Sequence, residues 1–314
     1  MKLRAFLGLL LLGSGLCQAA QPIATSALAF SPQGRVLAVG YSNGIVLLMD
    51  ARSRRILRRI DGQITSVGCL AFSPDGLTLA AGSNDRTVTM LDLKQPKATP
   101  YKTPAASDQV LRVAFSPNGR FLAYGTYDDH VHLLDVATHT DVANVEGHSL
   151  AFSPDGRYLV TGRVDGRINQ YDVAHNKLLG TVDTKGRTVD SIVFSPDGRT
   201  FAATCGDRTI RVIDSATRRQ LKSLDAHDFT LSGLAETPDG HTLVDCLMNG
   251  EVQVWSMATG KLQHTLHDLR IWGCCVAVGD GGHLAVAGNI KGKTDFWSLP
   301  DGKLRAELPP PPMK

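Results

Sequence analysis

The sequence predicts an all-β chain made of seven tandem four-stranded repeats. Three observations predict it: a five-residue turn motif that recurs along the chain, a near-constant spacing between its copies, and apolar alternation of period two between the turns.

The motif is Phe-Ser-Pro-x-Gly, found at Phe30 to Gly34, Phe72 to Gly76, Phe115 to Gly119, Phe152 to Gly156 and Phe194 to Gly198. Thr237-Pro238-Asp239-Gly240 is a degraded sixth copy, and Gly279-Asp280-Gly281-Gly282 holds the place of a seventh. With the third motif position as the register mark, the marks are Pro32, Pro74, Pro117, Pro154, Pro196, Pro238 and Asp280, spaced by 42, 43, 37, 42, 42 and 42 residues. Periods of this length belong to propeller blades or solenoid repeats.

Each repeat divides into strands in the same way. Four residues before the mark stands Leu28, Leu70, Val113, Leu150, Ile192, Leu234 or Val276, and two before it usually Phe. That alternation fits a strand and not a helix. Between them a small residue, Ala in six repeats and Val193 in the fifth, points to the other sheet face, as a strand at a crowded axis needs. Pro then fixes φ and Gly accepts a positive φ, turning the chain into a second strand such as Phe121 to Gly125 or Tyr158 to Gly162.

Eleven and twelve residues past each mark lie Asn43-Gly44, Asp85-Arg86, Asp128-Asp129, Asp165-Gly166, Asp207-Arg208, Asn249-Gly250 and Lys291-Gly292, pairs suited to two-residue hairpin turns. The third strand ends seventeen past the mark at Met49, Leu91, Leu134, Tyr171, Ile213, Trp255 or Trp297. A fourth strand is read in Lys177 to Val182, Gln220 to Leu224 and Lys261 to Leu266.

These repeats resemble those of the WD-repeat family, which pair a Gly-His and a Trp-Asp dipeptide around a Ser-Pro-Asp-Gly turn. The resemblance covers Ile23 to Leu308 and implies a seven-bladed β-propeller of four-stranded antiparallel blades, closed into a ring that hides nearly every sheet edge. Ahead of the first strand of a repeat only Gly147-His148 is a full Gly-His pair, and Ser256 and Ser298 follow Trp255 and Trp297 in place of aspartate. The family's His, Ser or Thr, Asp and Trp network, expected within a blade, is therefore incomplete in most blades.

Closure is expected without strand exchange between termini. The first strand starts near Ile23, and the outer strand of the last blade is Lys303 to Leu308. The two end blades should then meet by side-chain packing alone, with a seam that opens first under stress. The Pro309 to Pro312 stretch should simply stop strand extension.

Residues 1–20 read as a cleaved signal peptide, with Lys2 and Arg4 ahead of the apolar run Ala5 to Leu12 and the small residues Ala19 and Ala20 at its end. The run is too short to span a bilayer. A lipoprotein signal at Cys17 would place bulky Leu16 where such signals carry a small residue. Residues 21–308 form one propeller domain, and 309–314 a proline-rich tail.

The charged signal and the near-identical Phe-Ser-Pro-Asp-Gly repeats point to a bacterial exported protein, periplasmic or secreted. The full chain holds 33 basic and 30 acidic residues, so no strong field draws it to nucleic acid. Of the five cysteines past the signal, Cys205 and Cys246 occupy matching places in consecutive repeats and form the one candidate disulfide. The rest read as small buried hydrophobes.

Catalytic and cofactor signatures are missing: the chain has no strand-turn-helix Gly-x-Ser-x-Gly element, haem attachment site, glycine-rich phosphate loop or His-Glu-x-x-His motif. His130 and His132, beside Asp128 and Asp129, offer metal-ligating atoms on one strand face, but sibling blades carry ordinary polar residues there. The basic run Arg52, Arg54, Arg55, Arg58 and Arg59 reads as a solvated outer strand that discourages edge pairing. In blade six, Glu236 replaces the motif Phe, and Asp245 takes a position that is Val39, Ala81 or Ala203 elsewhere. Asp245 is expected to find a hydrogen-bond donor, and Glu236 to reach water.

Only five residues separate His148 from Pro154, against ten between His227 and Pro238. Blade four has lost part of its lead-in loop and first strand, which should indent one end of the ring. By the family resemblance, Arg187, Phe229, Arg270 and Trp272 lie at that end and are the candidate partner-binding residues.

The functional expectation is a non-catalytic protein-protein interaction scaffold without cofactor or metal, monomeric or part of a larger envelope complex, holding protein partners on one end of the ring. The alternative is a periplasmic enzyme or a metal- or ligand-binding propeller that uses the central channel.

Overall fold

The computed structural model describes residues 23–312 apart from 63, 96, 186, 226–229, 267–272 and 300. Seven sheets of four antiparallel strands follow one another along the chain, each in the order first, second, third, fourth strand. Blade one runs from Thr25 to Ile60, two from Cys69 to Lys102, three from Val110 to Glu146 and four from Ser149 to Asp183. Blades five, six and seven run from Val189 to Leu224, Leu231 to Leu266 and Gly273 to Leu308. First strands line a central channel and fourth strands form the circumference.

The motif turn explains its own residues. In blade five the Ser195 hydroxyl donates to Asp197 Oδ1 at 2.7 Å and accepts from the Thr200 N–H at 3.0 Å, while Gly198 takes φ +69°. The Arg199 N–H and that same hydroxyl hold the Asp197 carboxyl below the usual range. The bond recurs at Ser73 with Asp75, Ser116 with Asn118, Ser153 with Asp155 and Thr237 with Asp239. Blade-to-blade contact also needs the motif. A Cβ on Gly198 would stand 3.4 Å from Pro154 Cδ, and one on Gly240 3.4 Å from Pro196 Cδ, so each motif proline packs on the glycine of the next blade.

The turn between second and third strands differs from the two-residue form expected. In blade one the Tyr41 N–H donates to Ile45 O at 2.9 Å and the Gly44 N–H to Tyr41 O at 2.9 Å. Three residues therefore form the loop, with only Gly44 at positive φ, +84°. This is a type I turn with a glycine bulge, and it explains why Arg86, Asp129 and Arg208 stand in for glycine at that place. A second bulge falls at or beside the large residue that ends the third strand, as at Val254/Trp255 and Phe296/Trp297.

The core is divided by junction. Apolar alternation places one face of each sheet toward the preceding blade and the other toward the next. Seven buried clusters result among the described residues, one per blade pair. Phe194, 8% exposed, packs on Phe201 with ring centroids 5.5 Å apart and faces blade four.

The ring closes without strand exchange, as expected, but the seam is not held by side-chain packing alone. Leu37, Val39, Tyr41 and Ile45 of blade one share a buried cluster with Val286 and Phe296 of blade seven. In addition, the Thr25 and Thr294 hydroxyls bond at 3.2 Å, Cys275 Sγ reaches Thr25 O at 3.6 Å, and Arg52 Nε pairs with Asp280 Oδ1 at 2.9 Å. The thiol-to-carbonyl contact repeats at Cys69 and Val110, and Ser149 makes the same link to Val189. The seam is built like the other junctions, with a buried cluster, a thiol-to-carbonyl contact and an ion pair of its own.

Three further expectations change. The basic run is not one solvated strand: Arg52 and Arg54 lie in the turn before the fourth strand, Arg54 at φ +60°, and Arg59 pairs with Asp61 at 2.8 Å. The tail does more than stop a strand, since Pro311 is buried and both Pro310 and Ile23 O pack against Gly292. Cys205 and Cys246 are separate buried thiols, and burial pushes Cys205 up to about 11.

Candidate interaction site

The turns between second and third strands and the loops leading into each blade share one end of the ring, the loop face. The Ser42 N–H donates to Ala24 O, the Gly147 N–H to Asp129 O and the Gly206 N–H to Thr188 O. The motif turns occupy the opposite end, the proline face.

Blade four shapes the loop face. Its shortened lead-in brings His148 directly into the first strand, Ser149–Phe152, with His148 O packed where Gly125 has no Cβ. The buried His148 ring reaches out of its blade on both sides. Nδ1 lies 3.2 Å from Asp129 Oδ1 of blade three, and Nε2 3.5 Å from Asp190 Oδ1 of blade five. The histidine network expected within a blade is thus a bridge between blades, because deletion of the loop brings three blades' residues to one point. Burial opposes the charged ring, but the Asp129 and Asp190 carboxylates outweigh it and raise the group above the usual histidine range.

Asp129 gathers further donors. The Val164 N–H bonds it at 3.2 Å, and Arg163 Nε lies 3.5 Å from its other oxygen while also pairing with Glu146. Beside this network stand Tyr127 of blade three and Val164 of blade four, 50% and 54% exposed at matching turn positions. Apolar side chains on a rigid charged frame make a natural contact patch.

Of the partner-binding candidates, Arg187 is exposed in the loop leading into blade five, its Cβ beside Gly206. Phe229, Arg270 and Trp272 lie outside the described residues. Sequence reading missed Tyr127 and Val164, although a signal was present: ten residues past the mark, blades one, two and five carry Ser42, Asn84 and Gly206, and only blades six and seven, with Met248 and Ile290, share the apolar character.

The alternative sites resolve differently. The channel holds a cavity of about 220 Å³ lined by small residues such as Ala27, Ser191 and Gly233 together with Arg112. The Arg112 guanidinium is engaged, donating to Leu111 O at 2.9 Å and to Asp190 O at 3.2 Å. His130 contacts the Asp128 carbonyl, whereas His132 stacks on Tyr124 at 4.7 Å and faces Asp141 at 3.3 Å. Among the described residues no group of three or more His, Cys, Asp or Glu side chains could hold a metal ion. Asp245 has its donor: buried Trp255 Nε1 bonds its Oδ2 at 2.7 Å.

Comparison with known families agrees with this architecture. The profile described as WD domain, G-beta repeat matches residues 54–92, 98–135, 138–172 and 176–214. A second, the anaphase-promoting complex subunit 4 WD40 domain, matches residues 16–70. The chain belongs to the WD-repeat family. The match at 54–92 runs from the fourth strand of blade one through the third strand of blade two, so the family's repeat is offset by one strand from the blade. No curated protein matches the chain. WD-repeat propellers generally serve as platforms for protein partners and are typically non-catalytic, and no helix among the described residues is long and apolar enough to cross a membrane.

Proposed function

We propose that this WD-repeat protein is a non-catalytic scaffold exported to the bacterial envelope, periplasmic or secreted, that holds a protein partner on its loop face over blades three to five. The observation that carries the reading is the pair Tyr127 and Val164, both half exposed beside the Asp129, His148 and Arg163 network. The network fixes the frame in advance, so little conformational freedom is lost on binding. Arg187 supplies a charged rim in the same quarter of the ring. The reading of residues 1–20 as a signal peptide supports the compartment.

Affinity capture of the tagged protein from its native envelope fraction, followed by mass spectrometry, tests the reading. A stoichiometric partner retained by the native protein and lost from a Tyr127→Ser, Val164→Ser variant is expected. An Arg270→Ala, Trp272→Ala variant maps the remaining sequence candidates. A partner retained by both variants would move the contact elsewhere, and an empty capture would remove the scaffold reading.

A further inference from the structure

The proline face carries a feature that the loop face does not use. In blades one to five the motif Phe packs into the junction with the preceding blade: Phe30 against blade seven, Phe72 against one, Phe115 against two, Phe152 against three and Phe194 against four. Blade six breaks the series with Glu236. An open cleft of about 710 Å³ lies at this junction, lined by Pro196, Asp197, Leu221, Glu236, Pro238 and Met257.

The electrostatics of the cleft are lopsided. Both carboxyl oxygens of Glu236 are shut from solvent with no hydrogen-bond partner among the described residues. Such an arrangement is costly unless a donor arrives. Burial first, then the neighbouring Asp197 and Asp239 carboxylates, push Glu236 up to about 7. The cations nearby are committed or directed outward. Lys222 Nζ donates to Met257 O at 2.5 Å and Ala258 O at 3.0 Å, and Arg199 stands in solvent with Nε 3.7 Å from Asp197 Oδ2. His241 completes the titratable lining.

We propose that the cleft between blades five and six is a binding site for a guanidinium group, the arginine side chain of a partner segment, paired with the Glu236 carboxylate. Three arguments select this occupant. The carboxylates of Glu236, Asp197 and Asp239 call for a cation. Two unpartnered oxygens on one carboxyl suit a planar fork with parallel donors better than a point charge. Leu221, Pro238 and Met257 offer apolar surface for the methylene stem, where sibling blades place a ring. On binding, Glu236 rotates its carboxyl into the cleft and gives up its proton to solvent when it carries one.

The site lies at the opposite end of the ring from the proposed scaffold face, so each stands or falls alone. Calorimetric titration of the full chain with benzamidine, a planar amidinium on an apolar ring, tests it. Saturable binding of one equivalent is expected, tightening roughly tenfold from about pH 6 to about pH 8 as Glu236 ionises, with proton release at the lower pH. Glu236→Gln and Glu236→Phe should both lose binding, the second restoring the motif residue of the sibling blades and so keeping the fold. The proposal is overturned by absence of saturable binding, by equal binding in Glu236→Phe, by pH-independent affinity, or by equal binding of neutral benzamide.

Discussion

The Phe30 ring of blade one occupies the space that a side chain at Gly279 of blade seven would need, its nearest atoms 2.4 Å from where a Cβ would stand. Gly279 replaces the motif Ser of its siblings, and the exchange lets the ring seat itself across the closing junction. Gly279→Ala should overpack this contact and destabilise the protein by about 1–3 kcal/mol. Urea unfolding checks the cost, and Phe30→Leu in the same chain should recover part of it. A neutral Gly279→Ala would show that the seam tolerates Phe30 elsewhere.

Phe194 makes the corresponding contact between blades four and five, and is nearly buried against Phe201. Phe194→Ala should cost about 3–5 kcal/mol through lost burial and the cavity left behind. The midpoint of denaturant unfolding reports it, and a near-neutral result would contradict the packing of the motif phenylalanines.

The Trp255 indole and the Asp245 carboxyl are coupled inside the junction of blades five and six. Loss of the bond in Trp255→Phe should cost roughly 1–3 kcal/mol beyond the change in ring volume. In an Asp245→Ala background, the alanine that blade five carries as Ala203, the same Trp255→Phe change should cost measurably less. Equal costs in the two backgrounds would mean that the pair contributes no coupling.

His148 predicts a pH dependence. Its folded-state value is raised by Asp129 and Asp190 against the opposing effect of burial. The folded state therefore binds the proton more tightly than the unfolded state does, so the stabilisation is complete below about pH 6.5 and is lost as pH rises through the folded value. The melting temperature of the native protein should exceed that of His148→Gln by more at about pH 6 than at about pH 9. A difference that grows with pH would reverse the assignment of the charged bridge.

The architecture was legible because the same physical demands recur along the chain: a turn glycine and an apolar residue on alternate positions in all seven repeats, and a capping hydroxyl in six. Where the reading went astray, the missing information was three-dimensional. Arg86 and Arg208 occupy a bulge position that sequence pairs alone suggested was half of a two-residue turn. His148 looked like a member of a network inside its own blade, and only the shortened loop's path shows that it spans three. Glu236 stood out as an anomaly in the motif, but that its oxygens would lie buried without a partner, and not in water, depends on the neighbouring blade. The loop-face contact patch was found from turn positions that repeat arithmetic could have compared, and Arg187 alone of the candidates from sequence falls within the described residues.

Each blade is one unbroken stretch of chain, and the junction between the last and the first uses the same thiol, hydroxyl and glycine contacts as junctions inside the sequence. The ring consequently has no privileged point of origin. Ile23 and Pro310 both lie against Gly292, close enough for a short linker, so a circular permutant cut between Asp183 and Val189 would keep every sheet whole while moving both chain ends to the rim of the shortened blade. Connectivity and architecture are separable here, and the order in which the blades are synthesised is a choice that the folded ring does not record.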